Sequence, residues 1–181
     1  MASKLKFENY IVDNLKPIDC NQLYQFMLDN KERLNLFFPV TLEMNSSLEK
    51  TQEYISIKNK EIAEKTNFTF AIRDINNQRI VGLIIIKKLD WDKNQGEFAY
   101  CIGSEIEGKG ITSFAVKKMS NFAFENLGLK TIQIIAHKTN LGSVKVAENS
   151  GFVWQKTLQN EFIPINGTPL DMELYELYNE K

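Results

Sequence analysis

The chain has 181 residues, of which 43% are hydrophobic and 25% are charged, values typical of one globular domain and untypical of a disordered protein. Its 22 basic and 23 acidic residues give a net charge of -1, which argues against a nucleic-acid coat and a polybasic membrane binder. Two distant cysteines and a single histidine argue against a disulfide framework and a structural zinc site.

The first half of the chain is predicted to contain helices and then an antiparallel meander. The apolar residues Leu5, Phe7, Tyr10 and Val12 indicate a first strand over residues 5–12. A helical stretch opens at Pro17 and ends by Pro39. Residues 46–49, Ser-Ser-Leu-Glu, resemble a capping box that opens a second helix. Further strands are predicted at residues 68–72, 80–86 and 97–102, with turns at residues 74–77 and 91–94.

The second half of the chain alternates helices with strands. A strongly amphipathic helix is predicted to start at Gly108 and Gly110 and to end at Gly128, a residue type common just after a helix. The remaining elements are a strand over residues 131–136, a short helix over residues 140–150, a strand from Gly151, and an Asn166-Gly167 hairpin turn before the last strand. This order predicts a mixed α/β fold with a single sheet and helices on both sides.

The polar start of the chain favours a cytoplasmic location, because residues 3–6 lack the apolar run of a signal peptide. The longest apolar run, residues 80–86, has the length of one strand, so no membrane span is predicted. No repeat or linker interrupts the sequence. We therefore expect one domain over residues 1–181, with neither a membrane nor a nucleic acid as a direct partner.

The main chemical signal lies between a strand and the long helix, in the segment Glu107-Gly108-Lys109-Gly110-Ile111-Thr112. A helix N-terminus presents unpaired amides and a partial positive charge, and glycines let an anion approach the backbone. The segment predicts a phosphate-binding loop, with a tight structural turn as the alternative. A P-loop fits poorly because its Gly-Lys-hydroxyl element is missing, and a dinucleotide fingerprint fits poorly because Ser113 replaces its third glycine.

Three motifs within residues 100–152 carry a family resemblance. The loop reads Glu107-x-x-Gly110-x-Thr112 where the family has Gln/Arg-x-x-Gly-x-Gly/Ala, and residues 122–129, FAFENLGL, are similar to YAFEELGL. Residues 140–152 match N-x-x-S-x-x-V-x-E-x-x-G-F. On these motifs the chain resembles the Gcn5-related N-acetyltransferases, and within them the branch that acetylates the N-termini of ribosomal proteins.

Two residues of the loop depart from the family pattern. Glu107 replaces Gln or Arg, and a carboxylate beside a pyrophosphate is repulsive unless it points away or pairs with a lysine. Thr112 replaces a small residue, and its β-branch narrows the loop although its hydroxyl can donate to a phosphate.

The resemblance implies a central, twisted, mostly antiparallel sheet of about seven strands with a splayed central pair, flanked by about four helices. It implies acetyl-CoA as co-substrate and no metal. The pantetheine arm would follow the strand ending at Ile102, with Asn140 bonded to the arm and Ser143 near the thioester sulfur. The implied pyrophosphate-binding residues are Glu107, Gly108, Lys109, Gly110, Ile111 and Thr112.

The resemblance also implies a catalytic pair of Glu161 and Ser143. The acceptor amine must be neutral to attack, and a carboxylate acting through water can take its proton. Glu161 is the first candidate for this base, Glu97 the second and His137 the third. The structural alternatives are that both glutamates are solvated surface residues, that His137 bonds within a loop, and that Ser143 and Asn140 only cap a helix.

The predicted reaction is direct acetyl transfer, in a ternary complex, to the α-amine of a protein N-terminus. Cys101 is predicted to be a small core residue, and no cysteine–histidine arrangement supports a covalent acetyl-enzyme. The open alternatives are a polyamine or aminoglycoside acetyltransferase and a non-catalytic coenzyme A-binding module. The sequence leaves the oligomeric state open, with Phe37, Phe38 and the last strand as candidates for the interface of a homodimer.

Overall fold

Eight strands and six α-helices make up the computed structural model, which describes residues 4–164 and 167–180. The strands are β1 (Leu5–Phe7), β2 (Tyr10–Asn14), β3 (Phe68–Asp74), β4 (Ile80–Asp90), β5 (Gln95–Ile102), β6 (Thr131–Ala136), β7 (Val153–Phe162) and β8 (Leu170–Tyr178). The α-helices are α1 (Cys20–Asp29), α2 (Lys31–Leu34), α3 (Pro39–Glu43), α4 (Leu48–Glu64), α5 (Ile111–Leu127) and α6 (Leu141–Asn149).

The strands are hydrogen-bonded in the order β1-β2-β3-β4-β5-β6-β8-β7. The pairs β1–β2, β2–β3, β6–β8 and β7–β8 are antiparallel, and β5–β6 is parallel. The predicted mixed α/β fold with a mostly antiparallel sheet is confirmed. The described residues contain one strand and two helices more than the sequence led us to expect.

The additional strand arises near the N-terminus, where one strand was predicted over residues 5–12. Glu8 adopts a φ of 44°, in the left-handed region, and the chain reverses there. Phe7 consequently pairs with Tyr10 across a tight antiparallel turn between β1 and β2. Leu5 and Phe7 are two residues apart, as are Tyr10 and Val12, but Phe7 and Tyr10 are three apart, so the apolar alternation changes phase at this turn.

The additional helices lie between residues 30 and 45. Pro39 was expected to end a helix but stands in the first turn of α3, where its missing N–H costs no intrahelical hydrogen bond. The predicted capping box does not form: Ser47, not Ser46, is the N-cap of α4, and its hydroxyl accepts a hydrogen bond from the Lys50 amide at 3.2 Å. The third helical position is therefore a lysine, whereas a capping box requires Glu or Gln there.

The chain divides into two compact units, of which the first comprises residues 1–85 and 100–107. In this unit α1 contacts α4, and an apolar core includes Leu23, Met27 and Ile55. A buried ion cluster joins β3 to β2 and to the turn before α1. Within it Arg73 Nε lies 2.6 Å from Asp13 Oδ1, and the Arg73 guanidinium also pairs with Asp19.

The second unit comprises residues 86–99 and 108–181 and contains α5, α6 and the strands β6 to β8. The predicted ends of α5 are confirmed: Gly110 precedes it with a φ of 75°, and Gly128 follows it with a φ of 72°. The Ser150 hydroxyl donates to the Ser113 carbonyl at 3.1 Å, which docks the end of α6 on the first turn of α5. Strands β7 and β8 pair as a hairpin requires, but Asn166 of the predicted turn lies outside the described residues.

The parallel ladder between β5 and β6 is short. In the described residues it runs from Gln95↔Thr131 to Phe98↔Ile134, whereas β5 continues to Ile102 and β6 to Ala136. The two strands therefore stop pairing before they end, as the predicted splayed central pair requires.

Candidate active site

In the segment before α5 the backbone around the two glycines is not covered by other protein atoms. Gly108 and Gly110 have φ values of 76° and 75°, a region that residues with side chains rarely adopt. A Cβ added at either position would meet no protein atom within 4 Å, and no side chain caps the first turn of α5. The amides at this 17-residue helix N-terminus are thus accessible to an anion, and the loop fits a pyrophosphate.

The other three residues around these glycines differ in exposure. Lys109 is exposed and adds a positive charge at the loop, whereas the Ile111 side chain is buried and anchors the first turn of α5 in the core. Thr112 is half-buried. Ile111 therefore offers only its backbone to a ligand.

Glu107, the first residue of the loop, is paired with an arginine. Arg33 Nη1 on α2 donates to Glu107 Oε2 at 2.8 Å, and Arg33 Nη2 donates to the carbonyl of Ile102 at the end of β5. The carboxylate that departs from the family pattern therefore has a positive partner. The sequence carries no signal for it, because Arg33 lies 74 residues upstream of Glu107.

Asn140 and Ser143 lie at the start of α6. Asn140 is the N-cap, and its side-chain oxygen accepts a hydrogen bond from the Ser143 amide at 3.2 Å. The cap uses the carboxamide oxygen, and the carboxamide nitrogen carries two further donors. The capping role of Asn140 is therefore established, and it is compatible with hydrogen bonding to a ligand.

His137, the third candidate base, is engaged in the turn between β6 and α6. Its Nδ1 lies 2.7 Å from the Thr139 hydroxyl and accepts the Thr139 amide at 3.3 Å, and its carbonyl accepts the Asn140 amide at 2.8 Å. These contacts match the structural alternative, in which His137 orders a loop.

Glu97, the second candidate base, is buried on β5 and paired with two lysines of β4. Its Oε1 lies 2.8 Å from Lys87 Nζ, and its Oε2 lies 2.9 Å from Lys88 Nζ. Consecutive strand residues normally face opposite sides of a sheet, but Lys88 has a φ of 49°, so both ammonium groups reach one carboxylate. Glu97 is therefore not the solvated surface residue of the structural alternative.

Glu161, the first candidate base, lies near the end of β7. Its side chain is 38% exposed, and its Oε1 lies 3.7 Å from Lys88 Nζ. The residue before it, Asn160, has a φ of 54°, which marks an irregularity in β7. Burial lowers the pKa of Lys88, but the carboxylates of Glu97 and Glu161 outweigh it, so the pKa lies above its ordinary value and Lys88 stays charged.

The anion-accessible loop, the capped turn before α6 and the splayed strands are features of one family. The family model for the acetyltransferase (GNAT) domain matches residues 11–153. The chain belongs to the GNAT acetyltransferases. It is accordingly an N-acetyltransferase that uses acetyl-CoA.

Proteins similar to this GNAT chain differ in their acceptors. It is 29% identical over 173 residues to the putative ribosomal N-acetyltransferase YdaF of Bacillus subtilis (strain 168). This alignment covers 94% of this chain and 91% of that protein. It is 24% identical over 153 residues to spermidine N(1)-acetyltransferase of Vibrio cholerae, covering 84% of each.

Solved structures show the same fold. The ribosomal L7/L12 α-N-protein acetyltransferase RimL, in complex with coenzyme A, superposes with a TM-score of 0.86 at 17% identity, covering 97% of this chain and 98% of that one. The GNAT fold implied by the sequence motifs is thereby confirmed.

The thiol of Cys101 is suited to the GNAT core and not to catalysis. Cys101 is buried at the end of β5, and burial raises its pKa to about 12. A thiol with this pKa is protonated at neutral pH and is a poor nucleophile.

In the described residues, no helix is long and apolar enough to cross a membrane, and no group of histidine, cysteine and acidic side chains could hold a metal ion.

Proposed function

We propose that this GNAT enzyme acetylates the α-amine of a protein N-terminus, of the kind found on ribosomal proteins. The relative YdaF, which covers nearly the whole chain, supports this acceptor class. The proposal also includes acetyl-CoA at residues 107–112, a cytoplasmic location and a homodimer, and these rest on the sequence.

An α-amine acceptor suits an enzyme whose candidate base is a carboxylate. An α-amine has a pKa of about 7.7–8.0, so neutralising it at pH 7 costs about 1 kcal/mol. A lysine amine, with a pKa of about 10.4, costs about 4.6 kcal/mol. A partly solvated carboxylate acting through water meets the first demand far more readily than the second.

We assign the base role to Glu161 rather than to Glu97, and the contrast between their cation partners carries this assignment. Glu97 is buried, and each of its carboxylate oxygens lies within 3 Å of a lysine ammonium group. Glu161 is 38% exposed, and the Lys88 ammonium nitrogen lies 3.7 Å from its Oε1. Its carboxylate therefore keeps room for a water molecule and an incoming amine.

In the proposed reaction the amine nitrogen attacks the thioester carbonyl, a C–N bond forms and the C–S bond breaks. The amine proton passes through water to Glu161. The sulfur leaves as a thiolate that accepts a hydrogen bond from the Ser143 hydroxyl, and the thiolate then takes a proton from solvent. A backbone amide near Ile102 stabilises the oxyanion, worth about 3 kcal/mol by comparison with other single oxyanion donors. Asn140 holds the pantetheine arm through its carboxamide.

A small polyamine is the second candidate acceptor, because the chain is also similar to spermidine acetyltransferase over 84% of its length. The decisive experiment incubates the enzyme with acetyl-CoA and one acceptor at a time and measures free thiol release. The acceptors are a peptide with a free N-terminus, the same peptide with a blocked N-terminus and an internal lysine, and spermidine.

We expect thiol release and a mass increase of one acetyl group only with the free N-terminus. Faster turnover with spermidine would replace the proposed acceptor by a polyamine. Tight acetyl-CoA binding without turnover on any amine would support a non-catalytic coenzyme A-binding module, and the absence of both binding and turnover would contradict the proposal as a whole.

A further inference from the structure

The guanidinium of Arg33 connects the two chain segments on either side of the turn between β5 and the loop. One nitrogen donates to Glu107 Oε2 at 2.8 Å, and the other donates to the Ile102 carbonyl. The residue that follows Glu107 along the chain is Gly108, the first glycine of the loop.

The charge at Glu107 is the difficulty that this pairing solves. A pyrophosphate carries at least two negative charges, and the resemblance places Gln or Arg at the position of Glu107. A bare carboxylate there would repel the anion, whereas a carboxylate with a guanidinium at 2.8 Å contributes no net charge. The loop regains the electrostatic character of a neutral residue at its first position.

We infer that Arg33 increases the affinity of this chain for acetyl-CoA by cancelling the negative charge of Glu107. The inference rests on the proposed placement of the pyrophosphate at residues 107–112. Arg33 is a positioning residue in this scheme, because it acts through Glu107 and the Ile102 carbonyl.

A purely structural role for this pair is a poor explanation. The Arg33 and Glu107 side chains are 38% and 55% exposed, and exposed ion pairs contribute little to folding. Loss of Arg33 should therefore change ligand affinity more than it changes thermal stability.

The test measures the dissociation constant of acetyl-CoA by calorimetry for the wild-type protein, Arg33→Ala, Glu107→Gln and the double variant. We expect Arg33→Ala to weaken binding about tenfold, the scale of one charge interaction near a surface. Glu107→Gln should bind acetyl-CoA more tightly than wild type, because the positive charge of Arg33 is then uncompensated. The double variant should return to within about threefold of wild type, since the repulsive carboxylate is gone.

Arg79→Ala is the matched control, because Arg79 is an exposed arginine whose guanidinium lies 4.0 Å from Glu105 in the same unit. It should bind acetyl-CoA normally. Arg33→Lys should restore most of the affinity, and the deficit of Arg33→Ala should shrink at high salt, where exposed charges are screened.

Wild-type affinity in Arg33→Ala would overturn the inference, and so would a double variant as weak as Arg33→Ala. Should Arg33→Ala fail to fold, the Glu107→Gln and Arg33→Lys variants decide the question: weaker binding by Glu107→Gln would contradict the inference. A wild-type protein that does not bind acetyl-CoA would instead reject the proposed placement of the co-substrate.

Discussion

The ammonium nitrogen of Lys88 lies 3.7 Å from Oε1 of Glu161. The same nitrogen lies 2.9 Å from Oε2 of buried Glu97, so one lysine is shared by two carboxylates of different exposure. The left-handed φ of Lys88 turns its side chain to the side where Lys87 also lies. In the part of the chain that the structure describes, Glu97 therefore lies within 3 Å of two ammonium groups, whereas Glu161 has one ammonium group within 4 Å.

Replacement of Glu161 by Gln should lower kcat about 10²-fold at pH 7, because a positioned base contributes at least this much in other enzymes. The dissociation constant of acetyl-CoA should stay unchanged, since no part of the loop is altered. Steady-state kinetics with the preferred amine and calorimetry with acetyl-CoA measure the two quantities.

Glu97→Gln is the comparison for that variant. It should lower the free energy of unfolding by about 2 kcal/mol, because a buried carboxylate with two charged partners is lost. It should retain most of the activity per folded molecule. Full activity in Glu161→Gln together with inactive, folded Glu97→Gln would transfer the base role to Glu97.

Gly110→Asp should abolish acetyl-CoA binding. The aspartate would place a side chain and a negative charge where the backbone is open, and it would also strain a φ of 75°. Gly128→Asp, at the other end of α5 with a φ of 72°, carries the same type of strain away from the loop. We expect both variants to lose a comparable amount of thermal stability. Only Gly110→Asp should lose its affinity for acetyl-CoA. Normal affinity in Gly110→Asp would refute the loop assignment.

Asn140→Asp separates the capping role of Asn140 from its proposed role in binding. Aspartate keeps the oxygen that accepts the Ser143 amide and is an equally good N-cap, so stability should change by less than about 0.5 kcal/mol. The carboxamide donors are lost, and the KM for acetyl-CoA should rise about fivefold to tenfold. Asn140→Ser, a neutral cap residue, controls for the added charge, and an unchanged KM in both variants would limit Asn140 to capping.

Tyr54 should make the protein sensitive to alkali. It is almost fully buried on α4, and burial raises the pKa of its hydroxyl well above the ordinary value of 10. Above pH 10 the unfolded chain loses this proton while the folded protein keeps it. The contribution of Tyr54 to the free energy of unfolding is complete below pH 10, and it should fall by about 1.4 kcal/mol per pH unit above pH 10.

Urea unfolding of wild type and Tyr54→Phe between pH 9 and 11 measures this effect. In Tyr54→Phe the free energy of unfolding should decline much less above pH 10 than in wild type. Tyr24→Phe, which alters a half-buried tyrosine of α1, should show the same decline as wild type. Cys101 adds a decline of the same sign from about pH 9, because burial raises its pKa to about 12. Identical slopes in wild type and Tyr54→Phe would contradict the assignment.

The local elements near the glycines were predictable because their signals are close in the chain. Gly110 and Gly128 bound α5 through their own left-handed conformations, and Asn140 caps α6 through a residue three positions away. The N-terminal turn was missed because Glu8, a residue that rarely takes a positive φ, reverses the chain there.

The sequence by itself determined the family, the loop before α5 and the order of the strands and helices from β3 onward, because caps, glycine conformations and apolar periodicity depend on residues a few positions apart. Only the tertiary structure decided which charges meet. Arg33 reaches Glu107 across 74 residues, and Lys88 reaches Glu161 on another strand. Such pairs depend on strand register and on the irregular backbone at Lys88, which no short pattern of residues encodes.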